Sequence, residues 1–377
     1  MNQAQLEILN IAIVTAAACS LPGVFLILRK MAMMSDAISH TILLGIVIAF
    51  FITHDLNSPL LLIGAALMGL VTVFLVEFIQ KVQKISEDSS IGLVFPLLFS
   101  IGVLLISRYA GDVHLDTDAV LLGELAFAPF DRLVVNNVDI GPKSLYVMAC
   151  ILSLNLGYIG LFYKELKLVT FDPILAGVLG ISPAIVHYSL MTMVSVTAVG
   201  AFNAVGAILV VALMVGPPAT AYFITEKLQH MILASVFFGI LSAVTGYAAS
   251  FWLDVSIAGS MATMTGLIFF TVIMTAPRKG IIAVIRQSWQ QKYEFAGLAL
   301  LIHLLTLEAR NPGGGQGQAD DLVNQLQWQA SFFHKVLDRL VINQYAALQA
   351  NEIRITAEGR SYVQQSKLYR QLSGYEV

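Results

Sequence analysis

The stretch Arg29–Phe51, RKMAMMSDAISHTILLGIVIAFF, decides the fold of this 377-residue chain. It begins with a basic pair, passes a cap-like Ser35-Asp36, and becomes almost purely aliphatic, which is typical of a membrane-spanning helix. Asp36 and His40 are four residues apart, so a helix places both side chains on one face. Because ionisable groups are costly inside a bilayer, this pair predicts a path for a cation.

The composition indicates a polytopic membrane protein. Hydrophobic residues make up 57% of the chain and charged residues only 12%, about half the charged share of a soluble domain. The net charge of -3 provides no basic field that would gather nucleic acid. Cys19 and Cys150 lie in apolar runs without CxxC spacing, which argues against a disulfide framework or a thiolate zinc site.

Nine apolar runs are long enough to cross a bilayer about 30 Å thick. Basic residues follow alternate runs, which predicts an external N-terminus and a cytoplasmic C-terminus. A tenth apolar piece, Ala119–Phe130, is too short to span and suits a re-entrant or interfacial segment, so we expect eight to ten spans. The nine runs lie near 9–29, 36–53, 59–79, 91–108, 144–163, 185–202, 204–224, 229–252 and 259–276.

The sequence changes character after the last span. We predict a membrane domain over 1–280, a cytoplasmic helix with a glycine-rich linker over 281–318, and a small cytoplasmic domain over 319–377. Two helices are expected within 322–350, followed by a strand, a turn at Glu358-Gly359 and a closing helix. The segment IRITAEGRSYV resembles the wing strand and following helix of winged-helix modules. The predicted fold class is therefore all-α, a membrane helix bundle followed by a winged-helix-like domain.

Asp36 and His40 together suit a borderline divalent ion such as manganese, iron or zinc. The alternative is that Asp36 caps the helix and His40 satisfies a backbone carbonyl; spacing alone leaves both open. Further candidate metal contacts are Ser39, the external residues His114 and Asp116, and His187. For the external pair a solvated acidic loop is the plainer explanation, and for His187 a satisfied core histidine.

Three stretches resemble the permeases of metal-ion ABC importers. DAISHTILLGI is similar to their D-x-x-x-H segment, FYKELKLVTFDPILAGVLGIS to the segment they present to their ATPase, and VGAILVVALMVGPPATAYFIT to an interrupted late helix. We expect a short amphipathic helix around Phe171-Asp172-Pro173, with Lys164, Glu165 and Lys167 as a polar rim; an ordinary loop is the alternative. Gly216-Pro217-Pro218 predicts either a hinge or a helix that ends before Pro217.

The resemblance implies import of manganese, zinc or iron with several partners. These are a cytoplasmic ABC ATPase, an extracellular or periplasmic metal-binding protein, and a second permease copy or a sister permease. The chain has no G-x-x-x-x-G-K-[ST] loop, so ATP would be used by the partner and this chain would not be an enzyme. We expect a multi-pass protein of the cell membrane, with a transported metal ion and no permanently bound cofactor.

Two other functions remain open at this point. One is a proton-coupled secondary cation transporter, in which Asp36 and His40 form a proton relay. The other is a membrane-tethered metal-responsive regulator. Nucleic acid is not expected as a partner, because the C-terminal region has no arginine-rich helix.

Overall fold

The computed structural model describes residues 2–54, 58, 60–109, 125–135, 138–277, 279–310, 318–349 and 352–365. The chain forms two compact units, Met1–Gly280 and Ile281–Val377. The first unit is a helical bundle and the second is a small mixed domain.

Within the described residues, nine helices of the first unit are long and apolar enough to cross a membrane. The prediction of a polytopic helix bundle is confirmed, and nine lies within the expected eight to ten. Two short helices, α6 (Tyr163–Phe171) and α7 (Pro173–Val178), connect the fifth and sixth long helices. The helices are α1 Gln3–Leu28, α2 Ala32–Thr53, α3 Leu60–Gln83, α4 Glu87–Tyr109, α5 Lys143–Leu161, α6 Tyr163–Phe171, α7 Pro173–Val178, α8 Pro183–Val205, α9 Ala207–Ile224, α10 Leu228–Leu253 and α11 Ile257–Thr275.

A small structure precedes α5 on the predicted external side. A 3₁₀ turn, Ala128–Phe130, leads into an antiparallel hairpin of β1 (Arg132–Val135) and β2 (Val138–Pro142). Arg132 on this hairpin pairs with Asp139 and contacts Glu7 of α1 at 3.2 Å. These carboxylates raise the pKa of the Arg132 guanidinium, since they favour its charged form. The first half of the predicted re-entrant piece, 119–124, lies outside the described residues.

Helix α1 is the most enclosed of the nine long helices. Its middle, AAACSLPG, consists mainly of small residues, which allow neighbouring helices to approach closely. A Cβ added at Gly23 would lie only 2.0 Å from the carbonyl oxygen of Met214 in α9. The core of the bundle is therefore built around α1, with α9 in direct backbone contact.

A proline in α1 is compensated by a side chain from another helix. Pro22 has no N–H to donate to the carbonyl of Ala18, one turn earlier. The buried Asn155 of α5 donates its Nδ2 to that carbonyl at 3.1 Å, and to Thr197 Oγ1 of α8 at 2.8 Å. One amide thus ties α1, α5 and α8 together.

Helices α2 and α3 pack through small and hydroxyl residues. A Cβ at Gly45 would lie 2.5 Å from the carbonyl oxygen of Gly64, and Thr72 donates to Thr41 Oγ1 at 2.8 Å. At about 100° per residue, Thr41 and Gly45 lie roughly 100–140° around the helix from His40. This packing leaves the face of α2 that carries Asp36 and His40 turned away from the α3 contact.

The second unit has its own apolar core, with Leu300, Leu301, Leu322, Phe333 and Ile353 fully buried. Its strands β3 (Ala346–Gln349) and β4 (Glu352–Ile355) form an antiparallel hairpin, and Gln318 forms an isolated bridge to Glu352. The elements are α12 Ile281–Arg310, α13 Ala319–Leu326, α14 Ala330–Ile342, β3 Ala346–Gln349, β4 Glu352–Ile355 and α15 Ala357–Gln365. The glycine-rich stretch 311–317 lies outside the described residues.

Parts of the secondary structure predicted for this unit are wrong. The first predicted helix, 322–340, is interrupted because Gln327 adopts a left-handed conformation (φ 51°). Within the second predicted helix, 341–351, Ala346–Gln349 forms strand β3 instead, since pairing with β4 overrides its alanine-rich helix propensity. The predicted turn at Glu358-Gly359 lies inside α15, because Thr356 Oγ1 accepts the Gly359 N–H at 3.0 Å and starts the helix earlier. Strand β4 and the closing helix are confirmed.

Candidate metal pathway and ATPase-facing segment

Asp36 and His40 lie together near the start of α2. His40 Nε2 is 3.4 Å from Asp36 Oδ1, and the two side chains are 27% and 34% exposed, respectively. The N-cap of α2 is Met31, without a side-chain cap, so the predicted Ser35-Asp36 cap is wrong. Asp36 is already the fifth residue of the helix. It therefore has carboxylate oxygens to offer a ligand.

The imidazole of His40 is oriented by aromatic rings of α4. Its centroid lies 5.2 Å from that of Phe95 and 5.9 Å from that of Phe99. Rings at these distances restrict the side-chain rotamers of His40. The arrangement fixes a ligand-type nitrogen beside a carboxylate at a partly open position.

The other candidate metal contacts lie elsewhere or outside the described residues. Ser39 is buried and its hydroxyl donates to the Ser35 carbonyl at 2.8 Å. His114 and Asp116 lie outside the described residues. Among the residues that the structure does describe, no three His, Cys, Asp or Glu side chains are grouped to hold a metal. Within that part of the chain, Asp36 and His40 are thus a two-ligand set, and His187 does not join them.

His187 belongs to a separate polar cluster that joins α8 to three other elements. Its Nε2 lies 2.5 Å from Glu77 Oε1 of α3, and its Nδ1 lies 3.2 Å from Arg29 Nη1. Arg29 Nε also donates to Thr170 Oγ1 of α6 at 3.2 Å. Burial lowers the pKa of the Arg29 guanidinium, because partial removal from water disfavours its charge. The cluster lines a cleft of about 350 Å³.

Sequence reasoning missed the partners of His187. A signal was present, because Glu77 is an acidic residue inside the predicted span 59–79 and such residues need a partner. Arg29 in the sequence indicates only the orientation of the first span. Which basic or imidazole group meets Glu77 depends on helix packing, which hydropathy does not encode.

The predicted ATPase-facing segment consists of two helices rather than one. Helix α6 ends at Phe171, and Asp172 adopts an extended conformation (φ -146°, ψ 85°) before Pro173 opens α7. Proline disfavours helical geometry in the residue before it, so a single helix centred on Phe171-Asp172-Pro173 is wrong. Asp172 instead caps α7, its Oδ1 accepting the Leu175 N–H at 2.9 Å.

These two helices expose an apolar surface, which we call the coupling face: Phe171, Ile174 and Val178. Their side chains are 61%, 81% and 80% exposed. Lys164 and Lys167 are exposed beside them, whereas Glu165 is half-buried. Glu165 Oε2 is buried and has no hydrogen-bond partner among the described residues. The segment offers a hydrophobic patch with a charged margin.

Gly216, Pro217 and Pro218 lie inside α9, which continues to Ile224. The alternative in which the helix ends before Pro217 is therefore wrong. A Cβ at Gly216 would lie 2.3 Å from Thr265 Cγ2 of α11, so the glycine allows close packing. The hinge itself stays a prediction.

The fold and these features define a class: a polytopic membrane permease with a polar pair inside its bundle. Residues 2–276 match the family described as the ABC 3 transport family. The chain belongs to this family of ABC transporter membrane subunits. The prediction that the chain is not itself an enzyme is thereby confirmed.

Two relatives and one solved structure are informative. The chain is 44% identical to the manganese transport system membrane protein MntD of Bacillus subtilis over 290 residues, covering 77% of this chain and 98% of that protein. It is 40% identical to the zinc transport system membrane protein TroD of Treponema pallidum over 363 residues, covering 95% of this chain and 98% of that protein. It resembles PsaBC from Streptococcus pneumoniae, solved with a Fab, with a TM-score of 0.62 and 28% identity over 74% of this chain and 94% of that one.

The two relatives differ in what they cover. The Treponema match is long enough to include most of the unit that begins at Ile281, whereas the Bacillus match is not. The second unit is thus an addition that some relatives share.

Proposed function

We propose that this chain is the permease subunit of an ABC importer for a divalent transition-metal ion, with manganese or zinc as its cargo. The family, and relatives named for manganese and zinc transport, support this assignment. The observation that carries it is the Asp36–His40 pair, which lies 3.4 Å apart on one face of a membrane helix. Iron as a cargo is supported only by the sequence resemblance.

The ligand chemistry of the pair fits a borderline cation. One carboxylate oxygen and one imidazole nitrogen suit manganese or zinc, and neither residue is fully buried. Zinc sites in proteins use about four ligands, so one chain offers half a site. A second permease, either another copy or a sister subunit, would supply a matching pair. Two carboxylates would then balance the double charge of the ion, and the site would lie where the two permeases meet.

Transport needs an energy source, which we assign to a separate cytoplasmic ATPase. The coupling face of Phe171, Ile174 and Val178 presents exposed apolar side chains outside the long helices. Large exposed apolar groups with a charged margin are typical of a partner-binding surface. We propose that the ATPase docks here and that a metal-loaded binding protein docks on the opposite, external side.

The charge distribution supports an orientation with the N-terminus outside the cell. This orientation leaves Arg29, Lys81, Lys164, Lys227 and Lys279 on the cytoplasmic side. With the nine spans found among the described residues, we propose that the unit beginning at Ile281 lies in the cytoplasm.

We assign a winged-helix-like fold and a regulatory or partner-contact role to the second unit. The order helix, bridging residue, two helices, hairpin and helix supports the fold assignment. Arg339 on the exposed side of α14 lies with its guanidinium 4.2 Å from the centroid of the Tyr293 ring. A basic group engaged in this way is less available for phosphates, which favours a protein partner over nucleic acid. Deleting residues 312–377 should change uptake, its metal sensitivity or complex assembly; no change in any of the three would contradict this role.

The decisive experiment is metal uptake by the reconstituted complex of permease, ATPase and binding protein. Manganese, zinc and iron are offered separately to wild type, Asp36→Asn and His40→Gln. Each variant keeps the side-chain size but removes a good transition-metal ligand. We expect either substitution to abolish uptake while the complex still assembles.

Two controls match these variants. Asp254→Asn and His230→Gln make the same chemical changes at exposed positions away from α2, and should transport normally. Normal uptake by Asp36→Asn and His40→Gln would show that the pair is structural. Absence of uptake in wild type with all three metals, despite ATP hydrolysis, would refute the metal-import function itself.

A further inference from the structure

The cluster around Arg29 connects the two places where an importer must act. Arg29 lies in the turn between α1 and α2, seven residues before Asp36. Its Nε bonds Thr170, the residue next to Phe171 of the coupling face. A single guanidinium therefore joins the helix that carries the metal pair to the segment that faces the ATPase.

The hydrogen bonds of the cluster determine the state of His187. Arginine can only donate, so His187 Nδ1 must accept from Arg29 Nη1 at 3.2 Å. The ring proton then lies on Nε2, and Glu77 Oε1 lies 2.5 Å from that nitrogen. The neutral Nε2–H tautomer is compatible with both contacts, whereas a doubly protonated ring would place a proton against the guanidinium.

Glu77 anchors the far end of this chain of contacts. Its Oε2 accepts from Tyr188 Oη at 3.0 Å and lies 3.2 Å from Lys81 Nζ. The cluster thus joins the α1–α2 turn, α3, α6 and α8 through half-buried groups. Charge-assisted hydrogen bonds are stronger than neutral ones.

The charge of the cluster argues against a second metal site. Arg29 and Lys81 bring two positive charges to the same cluster as Glu77, the carboxylate that a metal ion would have to use. A divalent cation would be repelled, and His187 Nδ1 is already used as an acceptor. The cluster is better suited to holding protein elements together than to binding cargo.

The distances also limit how these elements can move. A hydrogen bond of 3.2 Å weakens steeply when its heavy atoms separate further. Displacement of α6 by the ATPase must therefore either break the Thr170–Arg29 bond or draw the α1–α2 turn along. Arg29 Nη2 is buried and has no hydrogen-bond partner in the described part of the chain. The guanidinium thus keeps a donor for a second bonding arrangement.

We propose that Arg29, held by His187 and Glu77, is a positioning residue that transmits movement of the coupling face to the α1–α2 turn and so to Asp36 and His40. This inference rests on the proposed function, since it names how the same transport site is driven. None of these groups touches the cargo. Their removal should uncouple ATP hydrolysis from metal movement rather than abolish either binding step.

The test measures manganese uptake and ATP hydrolysis together in proteoliposomes containing the whole importer, with zinc as the second cargo. We expect Arg29→Met and His187→Leu to keep ATP hydrolysis while metal moved per ATP falls about tenfold. His187→Gln should stay within about twofold of wild type, since its amide can accept from Arg29 and donate to Glu77. Lys84→Met is the control, because it removes an exposed positive charge in the α3–α4 turn outside the cluster.

Thr170→Val is included because we expect it to fold normally: it removes one hydroxyl group and hardly changes the side-chain volume. Metal moved per ATP should fall about threefold. The inference is overturned if the metal moved per ATP is unchanged in Thr170→Val and in every assembled Arg29 or His187 variant. It is also overturned if uptake and ATP hydrolysis fall by the same factor, because that result indicates a purely structural role. If wild type moves no metal, the proposed function fails; if wild type transports and the variants keep its ratio, only the coupling role fails.

Discussion

Asn155 provides a quantitative test of how the bundle is held together. It is buried and donates to the Ala18 carbonyl, which Pro22 leaves without a helical donor, and to Thr197. Asn155→Leu keeps the branched shape of the side chain but leaves that carbonyl unpaired. An unsatisfied buried acceptor costs about 1–3 kcal/mol, and single interhelical hydrogen bonds in membranes average about 0.6 kcal/mol. We expect a loss of about 2 kcal/mol in the free energy of unfolding.

A double-mutant cycle with Pro22→Ala isolates the cause. The alanine introduced at this position has an N–H that can bond the Ala18 carbonyl within α1, so the carbonyl no longer depends on Asn155. In this background we expect Asn155→Leu to cost about 1 kcal/mol or less, giving a coupling energy of about 1 kcal/mol. Unfolding would be followed by circular dichroism during titration of mixed micelles with dodecyl sulfate.

The control is Thr197→Val, which removes the other acceptor of Asn155 and leaves the carbonyl bond in place. Its cost in free energy of unfolding should be small, and it should be the same whether proline or alanine occupies position 22. If Asn155→Leu costs equally in both backgrounds, the amide does not replace the missing proline donor. The role assigned to Asn155 in holding α1 would then be refuted.

Three further outcomes are expected. Gly23→Ala should prevent stable folding in detergent, because its Cβ would lie 2.0 Å from the Met214 carbonyl oxygen, whereas Gly157→Ala, with open space around it, should melt like wild type. Phe171→Glu should weaken ATPase binding about thirtyfold in a pull-down titration without changing the melting temperature, since the ring is exposed. Phe333→Ala should destabilise the second unit by about 3–5 kcal/mol, so that limited proteolysis of the full chain removes this unit while the membrane unit stays intact.

The long helices were predictable because each needs only a continuous apolar run. Hydropathy located all nine, but it placed the start of the first span at residue 9, whereas α1 begins at Gln3. A helix can continue beyond the hydrocarbon, where polar residues such as Asn2 and Gln5 form a capping box. Hydropathy therefore identifies the part inside the bilayer and not the ends of the helix.

Some local secondary structure was predicted wrongly, because one residue determines the conformation of its neighbour. Pro173 forces Asp172 out of the helix, which splits the predicted ATPase-facing segment into α6 and α7. Strand β3 escaped prediction because its sequence, AALQ, favours a helix until it pairs with β4. The pairing of Asn155 with Pro22 spans more than a hundred residues, and one sequence carries no record of that contact.

Three polar features inside the described part of the bundle are distinguished by their partners. Asn155 replaces a backbone bond that a proline removed. Glu77 is engaged by His187, Tyr188 and Lys81, which are all groups of the protein itself. Asp36 and His40 face each other at 3.4 Å and remain partly exposed. An aspartate beside a histidine at a partly open position is chemically suited to a transition-metal ion, and this supports the proposed role of the pair in binding the cargo.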